Sequence, residues 1–562
     1  MNDFSGTLDQ IAARLDTLEK RVYVLEHPSE VSQELEAIPA PTREVVEDRS
    51  FVQAGGLLSI IGRAMLGIAG AYALRAVAES TSLPKLGVAA IAIAYAILWL
   101  VWAARVKAAI WAPSAIYAGT SSAILAPMLC ELTLSFKVLP PSAAAAVVAL
   151  FVLIASALAS KHNLTPVVWV ANSTASATSL ALAIATHQLI PFITVLLLMA
   201  FICEFAAILN RESSVRPLVA AAADFSIWAL IFIYTGPQNA RVDYPVLGMA
   251  SLVVPGCVLF LLYAANIGFG TILRGRCITI FEIIQSVAAF LLAASSVLYF
   301  SPSLGAIVFG VTCLVMAAAC YTLVLAVPRG LAIERNYQTY SVWAMGLLLV
   351  GSFLCLPPMG VTLILGLAAI ASVILGIRLH RLTLQVHGLV LLVWTTVSSG
   401  LLSYVFHTLA GTLPVTLTAS VCVASVATLV FYGAARTAIE KSWGPQFLRV
   451  IAAALAVCVL AAFLGQGLLF LTALRIPPEV HHVAFIRTLA CCAVSLSVAF
   501  AGSHWRRREL TYIAYATLAF IAAKLIFEDL HQSHFEFIAG SVFVFAITLI
   551  AVPRLAHLRQ KL

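Results

Sequence analysis

The chain has 562 residues, 62% hydrophobic and 10% charged, with a formal net charge of +8. Soluble domains carry roughly 25% charged residues, so the composition excludes a water-soluble fold and predicts an all-α polytopic membrane protein. The charge is uneven: residues 1–50 hold 5 basic and 11 acidic side chains (−6), and residues 51–562 hold 28 and 14 (+14). A basic membrane domain is what cytoplasmic loops require, and it calls for no nucleic-acid partner.

The first predicted element, residues 1–28, is soluble. Leu8, Ile11, Leu15, Leu18, Val22 and Leu25 repeat at 3-4-3-4-3, the a/d seam of a coiled coil. With Leu8 at a, a parallel partner places Arg14 opposite Glu19 and Arg21 opposite Glu26. This predicts a homo-oligomer through residues 8–25; the alternative is a lone amphipathic helix docked on the membrane domain. Three heptads are marginal alone, so the membrane domain has to help. Pro28, Pro39 and Pro41 mark an acidic linker over 29–50. The polar, acidic start predicts no cleavable signal peptide.

The membrane domain, residues 51–562, contains about eighteen apolar stretches. Their cores are 52–76, 86–104, 109–133, 142–160, 164–186, 190–209, 217–235, 245–268, 277–299, 303–327, 340–356, 359–378, 384–408, 414–434, 447–474, 482–501, 510–529 and 535–553. Each is long enough to cross about 30 Å of hydrocarbon, the shortest only just. Taking the breaks alternately from 104–107, one set holds 20 Lys and Arg and the other 5. A missed helix would scramble that alternation, so the split predicts both termini inside. No break is long enough for a soluble domain, and no internal repeat is visible.

Eleven cysteines fall mostly within apolar runs, among them Cys203, Cys257, Cys313, Cys320, Cys422 and Cys458. With no CxxC they read as small hydrophobes, not as a disulfide or metal framework.

Ionisable residues inside spans cost roughly 2.5–3.5 kcal/mol each at the midplane on insertion scales, so they face a bundle interior or a cavity. Helical rise sorts them into two layers. An inner-to-middle layer holds Arg63, Glu204 and Asp224, with Glu282 nearer the cytoplasmic surface. An outer layer holds Arg75, Glu79, Glu131, Lys524, Glu528 and Asp529, joined by Arg487. Lys524 and Glu528 share a helical face at i,i+4. Asp529, one residue further, is expected to be rotated away, leaving Glu528 or Glu131 as the lysine's partner. Glu204 and Asp224 suit a proton or cation relay, or neutralisation by Arg63. Such charges serve equally as ion pairs that lock helices together.

The small polar runs "YAGTSSA" (117–123), "ANSTASATS" (171–179) and "WTTVSSG" (394–400) either line a path or pack helices. In the outer breaks Glu479, His481 and His482 form one polar group, and His531, His534 and Glu536 form another. His531 and His534 have a spacing usable for zinc, as weak metal candidates. Nothing matches a phosphate loop, a nucleophile elbow or an ATPase motif, so no cofactor is implied and no catalytic residue is assigned.

The order of parts resembles the bacterial membrane family catalogued as domain of unknown function 2339. "IIGRAMLGIAGAYALRAVAES" (Ile60–Ser80) is similar to that family's first-helix pattern of Gly-rich turns, then a basic and an acidic residue, here Arg75 and Glu79. "AKLIFEDL" (Ala523–Leu530) is similar to its late motif of Lys, four residues, then Asp-Leu. The chain departs by carrying His531 and His534 after that motif. The resemblance implies a bacterial inner-membrane location and no assigned activity.

Three function classes follow, with the substrate left open. The leading one is transport or flippase-like handling of an envelope or lipid-linked solute. The others are a scaffold organised by its coiled coil and an intramembrane enzyme at the outer face. Of these the enzyme is least favoured.

Overall fold

The computed structural model describes residues 59–73, 75–76, 85–105, 111–162, 164–209, 214–326, 334–411, 416–435, 443–474, 479–532 and 534–557. The expected coiled coil (1–28), the linker (29–50) and Glu79 lie outside these residues. All described regular structure is helical, and the chain forms two compact units, residues 1–178 and 179–562.

The first unit contains α1 (Ser59–Ala73), α2 (Lys85–Arg105), α3 (Trp111–Cys130), α4 (Pro141–His162) and the beginning of α5 (Thr165–Thr186). Small residues let these helices approach. The Tyr95 hydroxyl on α2 donates to Gly67 O on α1 at 3.1 Å, with the Trp99 ring against the glycine backbone. Ser121 on α3 donates to Ala96 O on α2 at 2.7 Å. α3 ends in a π-helical turn, Glu131–Ser135.

The second unit runs through α6 (Leu189–Ile208), α7 (Arg216–Thr235), α8 (Met249–Ile272), α9 (Ile280–Phe300), α10 (Leu304–Ala326), α11 (Glu334–Cys355), α12 (Pro358–Arg378), α13 (Leu382–Ser398), α14 (Leu401–Ala410), α15 (Ala419–Ala435), α16 (Trp443–Ala473), α17 (Val480–His504), α18 (Arg508–Lys524) and α19 (Phe535–His557). Sequence neighbours pack as antiparallel pairs, α10 on α11 and α12 on α13. At Gly351 an added Cβ would stand 2.8 Å from Gly310 O across the α10–α11 contact. Removing side chains from such contacts is how membrane helices gain van der Waals contact without a hydrophobic driving force. α13 and α14 meet at 65°, a broken span whose joint Gly400 has φ +76°, a conformation costly for any residue with a Cβ. Leu510, Ile513, Leu518 and Ile521 of α18 pack in an apolar core with residues of α16 and α17.

Fifteen described helices are long and apolar enough to cross a membrane, sixteen if the bent α13–α14 pair is one span; α1 and α15 are shorter apolar helices. Large apolar side chains such as Phe201, Phe205, Phe232 and Phe543 are exposed, a surface that suits lipid. The protein is an all-helical, multi-pass membrane protein. Where they are described, the apolar stretches expected from the sequence fall on helices, and the lengths of α1 and α15 are those of their described residues alone.

The small polar runs are largely packing faces. Thr120, Asn172, Ser173, Thr178, Thr395 and Thr396 return hydrogen bonds to carbonyls of their own helices. The cysteines are free thiols.

Candidate functional site

Intramembrane charge in the second unit gathers in two places. The first lies where α6 ends and α7 and α9 begin. Arg216 opens α7 and grips Glu204 in two-pronged fashion, Nε to Oε1 at 3.1 Å and Nη2 to Oε2 at 2.7 Å. Its Nη2 also reaches Glu282 at 3.4 Å, and its guanidinium lies 5.3 Å from the Phe281 ring centroid. Glu282 is in turn bound by Arg276 and closes a capping box with Thr279, the residue before α9. Asn266 of α8 donates through Nδ2 to Glu204. Glu204, Arg216, Glu282 and Asn266 are all buried. Two carboxylates and two guanidiniums leave the cluster neutral, the usual requirement for charge at low dielectric.

Asp224 sits on the same α7, eight residues after Arg216, so about 12 Å further along the axis. That is close to the middle of a 20-residue helix. Its partner is neutral: Gln285 Nε2 of α9 donates to both carboxylate oxygens, at 2.8 and 2.9 Å. No basic side chain among the described residues forms an ion pair with it. Glu131, Glu204, Glu282, Glu528 and Asp529, by contrast, each have a basic partner at 2.9 Å or closer.

The second place joins α17, α18 and the turn after α18. Lys524 ends α18, and the next five residues, Leu525–Asp529, form a π-helical turn. A π turn bonds i to i+5, and this brings Asp529 under the lysine: Nζ–Oδ1 is 2.7 Å, against 3.4 Å to Glu528. The expectation that Asp529 is rotated away rested on α-helical geometry and is corrected here. The lysine's other two donors go to Thr488 Oγ1 (2.8 Å) and Ala484 O (3.0 Å) on α17. The Thr488 hydroxyl in turn donates a hydrogen bond to Asp529 Oδ2 at 2.8 Å. Asp529 is 0% exposed. Beside it, Arg487 Nη1 holds Glu528 at 2.9 Å, and Nη2 caps the broken span, accepted by His407 O (3.0 Å) and Gly411 O (2.6 Å). His407 O also accepts from Gly411 N–H at 3.2 Å, so the buried cation adds a second donor there and supplies the charge that the dipole at a helix C-terminus favours.

No family model, curated protein or solved structure matches the chain. The sites are therefore read from their own geometry.

The remaining candidates fall as follows. Arg63 is exposed on α1, and Glu204 takes Arg216 as its counter-charge in place of Arg63. Glu131, offered as a partner for Lys524, instead pairs with Arg75 at 2.6 Å in the first unit. That pair edges a 280 Å³ cavity between α1, α2 and α3, otherwise lined mainly by apolar residues such as Ala92, Ile124 and Met128, with Tyr72. His531 contacts Ile526 O, and Glu536 is exposed; neither joins His534 in a ligand group.

Sequence reasoning missed several members, among them Arg216, Asn266 and Gln285. Arg216 reads as a loop charge because it precedes an apolar run, yet it is the first residue of α7 and buried. Asn266 and Gln285 are neutral, and a search confined to ionisable residues passes over them. Each is the one amide side chain of a mostly apolar helix, which is the signal that finds it.

Proposed function

We propose that the protein is an ion-coupled transporter, flippase-like, that moves an amphiphilic envelope or lipid-linked solute across the bacterial inner membrane. The observation that carries this reading is Asp224, a mid-span carboxylate with no fixed counter-charge among the described residues. Such a group takes a mobile counter-charge, a proton or a small cation, and that exchange is what couples a solute to an ion gradient. The solute class is argued from the cavity beside Arg75 and Glu131, whose walls are apolar and whose edge is charged. An amphiphile has that same division.

The enzyme alternative asks for Lys524 and Asp529 in an open cleft, whereas both are buried and bound to each other. The scaffold alternative draws its support from that same region, whose charges are locked.

In this reading all eighteen apolar stretches cross the membrane with both termini cytoplasmic, as the 20-to-5 split of basic residues favours. Residues 8–25 self-associate, and the chain is a relative of the family catalogued as domain of unknown function 2339. Reporter fusions after Arg507 then read cytoplasmic and fusions after Gln238 periplasmic; the opposite result at either position removes the orientation. For transport itself, proteoliposomes loaded with a pH-reporting dye are challenged with a panel of lipid-linked solutes. The wild type shows solute-dependent proton movement and Asp224→Asn shows none. Equal responses from the two proteins would contradict the proposal.

A further inference from the structure

A third group of side chains lies at the beginning of α17. Glu479 precedes the helix, and His481 and His482 occupy its first turn. One ligand atom from each of the three lies within 4.8 Å of the others. His481 Nε2 stands 2.8 Å from Glu479 Oε2. A fourth candidate comes from the residue just before α19: the His534 ring meets the His481 ring edge-on, with centroids 4.6 Å apart. The His482 ring centroid is 4.5 Å from that of His481, and its Nδ1 is buried with no hydrogen-bond partner among the described residues.

Two features distinguish this group from an ordinary surface cluster. A buried imidazole nitrogen without a partner is costly, and a metal ion is one of the few partners that satisfies it without needing a proton. Three imidazoles crowded together also repel one another when protonated, and a shared divalent ion removes that conflict. Zinc takes imidazole nitrogen and carboxylate oxygen at about 2.0–2.2 Å, which sets ligand atoms about 3.3–3.6 Å apart in a tetrahedron. The three ligand atoms, all within 4.8 Å of one another, lie near that spacing.

We propose that Glu479, His481, His482 and His534 form a divalent transition-metal site of the zinc class, tying the beginning of α17 to the beginning of α19. Of the metal candidates His531, His534 and Glu536 taken from the sequence, only His534 is in it. The site lies one to two turns from Arg487 and Thr488 on the same helix, so the ion pins the helix that carries half of the Lys524 network.

The test uses the full chain in mild detergent, with any affinity tag removed and metal stripped by chelator. Zinc is added, excess is removed by gel filtration, and bound metal is counted by mass spectrometry. The wild type retains one zinc per chain and gains thermal stability on adding it. His481→Asn and His482→Asn retain none and show no zinc-dependent gain, while unfolding at the temperature of the metal-free wild type. His534→Asn holds the ion more weakly, and His531→Asn behaves as the wild type. Cobalt in place of zinc gives the intense visible absorption of a tetrahedral site in the wild type and in His531→Asn, and none in His481→Asn or His482→Asn. A wild-type chain that retains no zinc overturns the proposal. So does retention unchanged in His481→Asn and His482→Asn, or in His534→Asn.

Discussion

The Lys524 region and the Asp224 region solve the same problem in opposite ways. Around Lys524 each charge has a fixed opposite charge. The ammonium spends its three donors on Asp529, Thr488 and Ala484, and Arg487 holds Glu528 and the end of a broken helix. Around Asp224 the charge is met by a neutral amide. Glu204 and Glu282, on helices packed nearby, were given two guanidiniums between them, so the absence of a cation at Asp224 is not a general property of that half of the bundle. The contrast teaches that intramembrane charge here is of two kinds, one that holds helices and one left free to change its state.

The largest effect should come from breaking the clamp. Lys524→Ala leaves Asp529 buried and unpaired, and truncating one member of a buried pair costs about 3–5 kcal/mol. A thermal-unfolding series in detergent should show that loss. Lys524→Met with Asp529→Asn should recover much of it, and Lys524→Met with Glu528→Gln should recover less. Equal rescue by the two pairs would remove Asp529 as the principal partner. Arg216→Met should be comparably damaging, because Glu204 and Glu282 both lose a partner.

A smaller effect is expected from deleting Phe527, an exposed residue within the π turn. The deletion turns Lys524 and Asp529 into an i,i+4 pair, which an α-helix also places on one face. Stability should fall by far less than in Lys524→Ala. A loss as large would mean that the π turn does more than set the register of the pair.

Near the surface the comparison should fade. Arg75 is 46% and Glu131 28% exposed in the side chain, and an exposed pair contributes under about 1 kcal/mol. Glu131→Gln should therefore leave unfolding almost unchanged. Asp224→Asn should be the mildest of all in stability, or slightly stabilising, because it removes an uncompensated charge while an amide can still bond Gln285. If Asp224→Asn destabilises as Lys524→Ala does, the two regions are alike and the contrast fails.

Much of this was legible in one dimension. Apolar length and helical periodicity located the helices, since backbone satisfaction in lipid leaves few alternatives. The cost of burying charge picked out Glu204, Asp224, Glu282, Lys524, Glu528 and Asp529. Pairing was not legible, for two physical reasons. A π turn changes the residues per turn, so Asp529 moved to the face that α-helical counting gave to Glu528 alone. Other partners are distant in sequence, as Arg487 is from Glu528 and Gln285 from Asp224, and only packing brings them together. The histidines show the same limit: spacing favoured His531 with His534, whereas the fold sets His534 against His481.

The central claim is that Asp224 differs in kind from the clamped carboxylates, and its accessibility to a proton tests this most directly. An apolar carbodiimide reacts with protonated carboxyl groups within membranes, and peptide mass spectrometry then reports which residues were modified. In native membrane vesicles Asp224 should be labelled, increasingly so as the pH is lowered, while Asp529 and Glu204 stay unmodified. Labelling of Asp224 no greater than that of Asp529 at every pH would contradict the account.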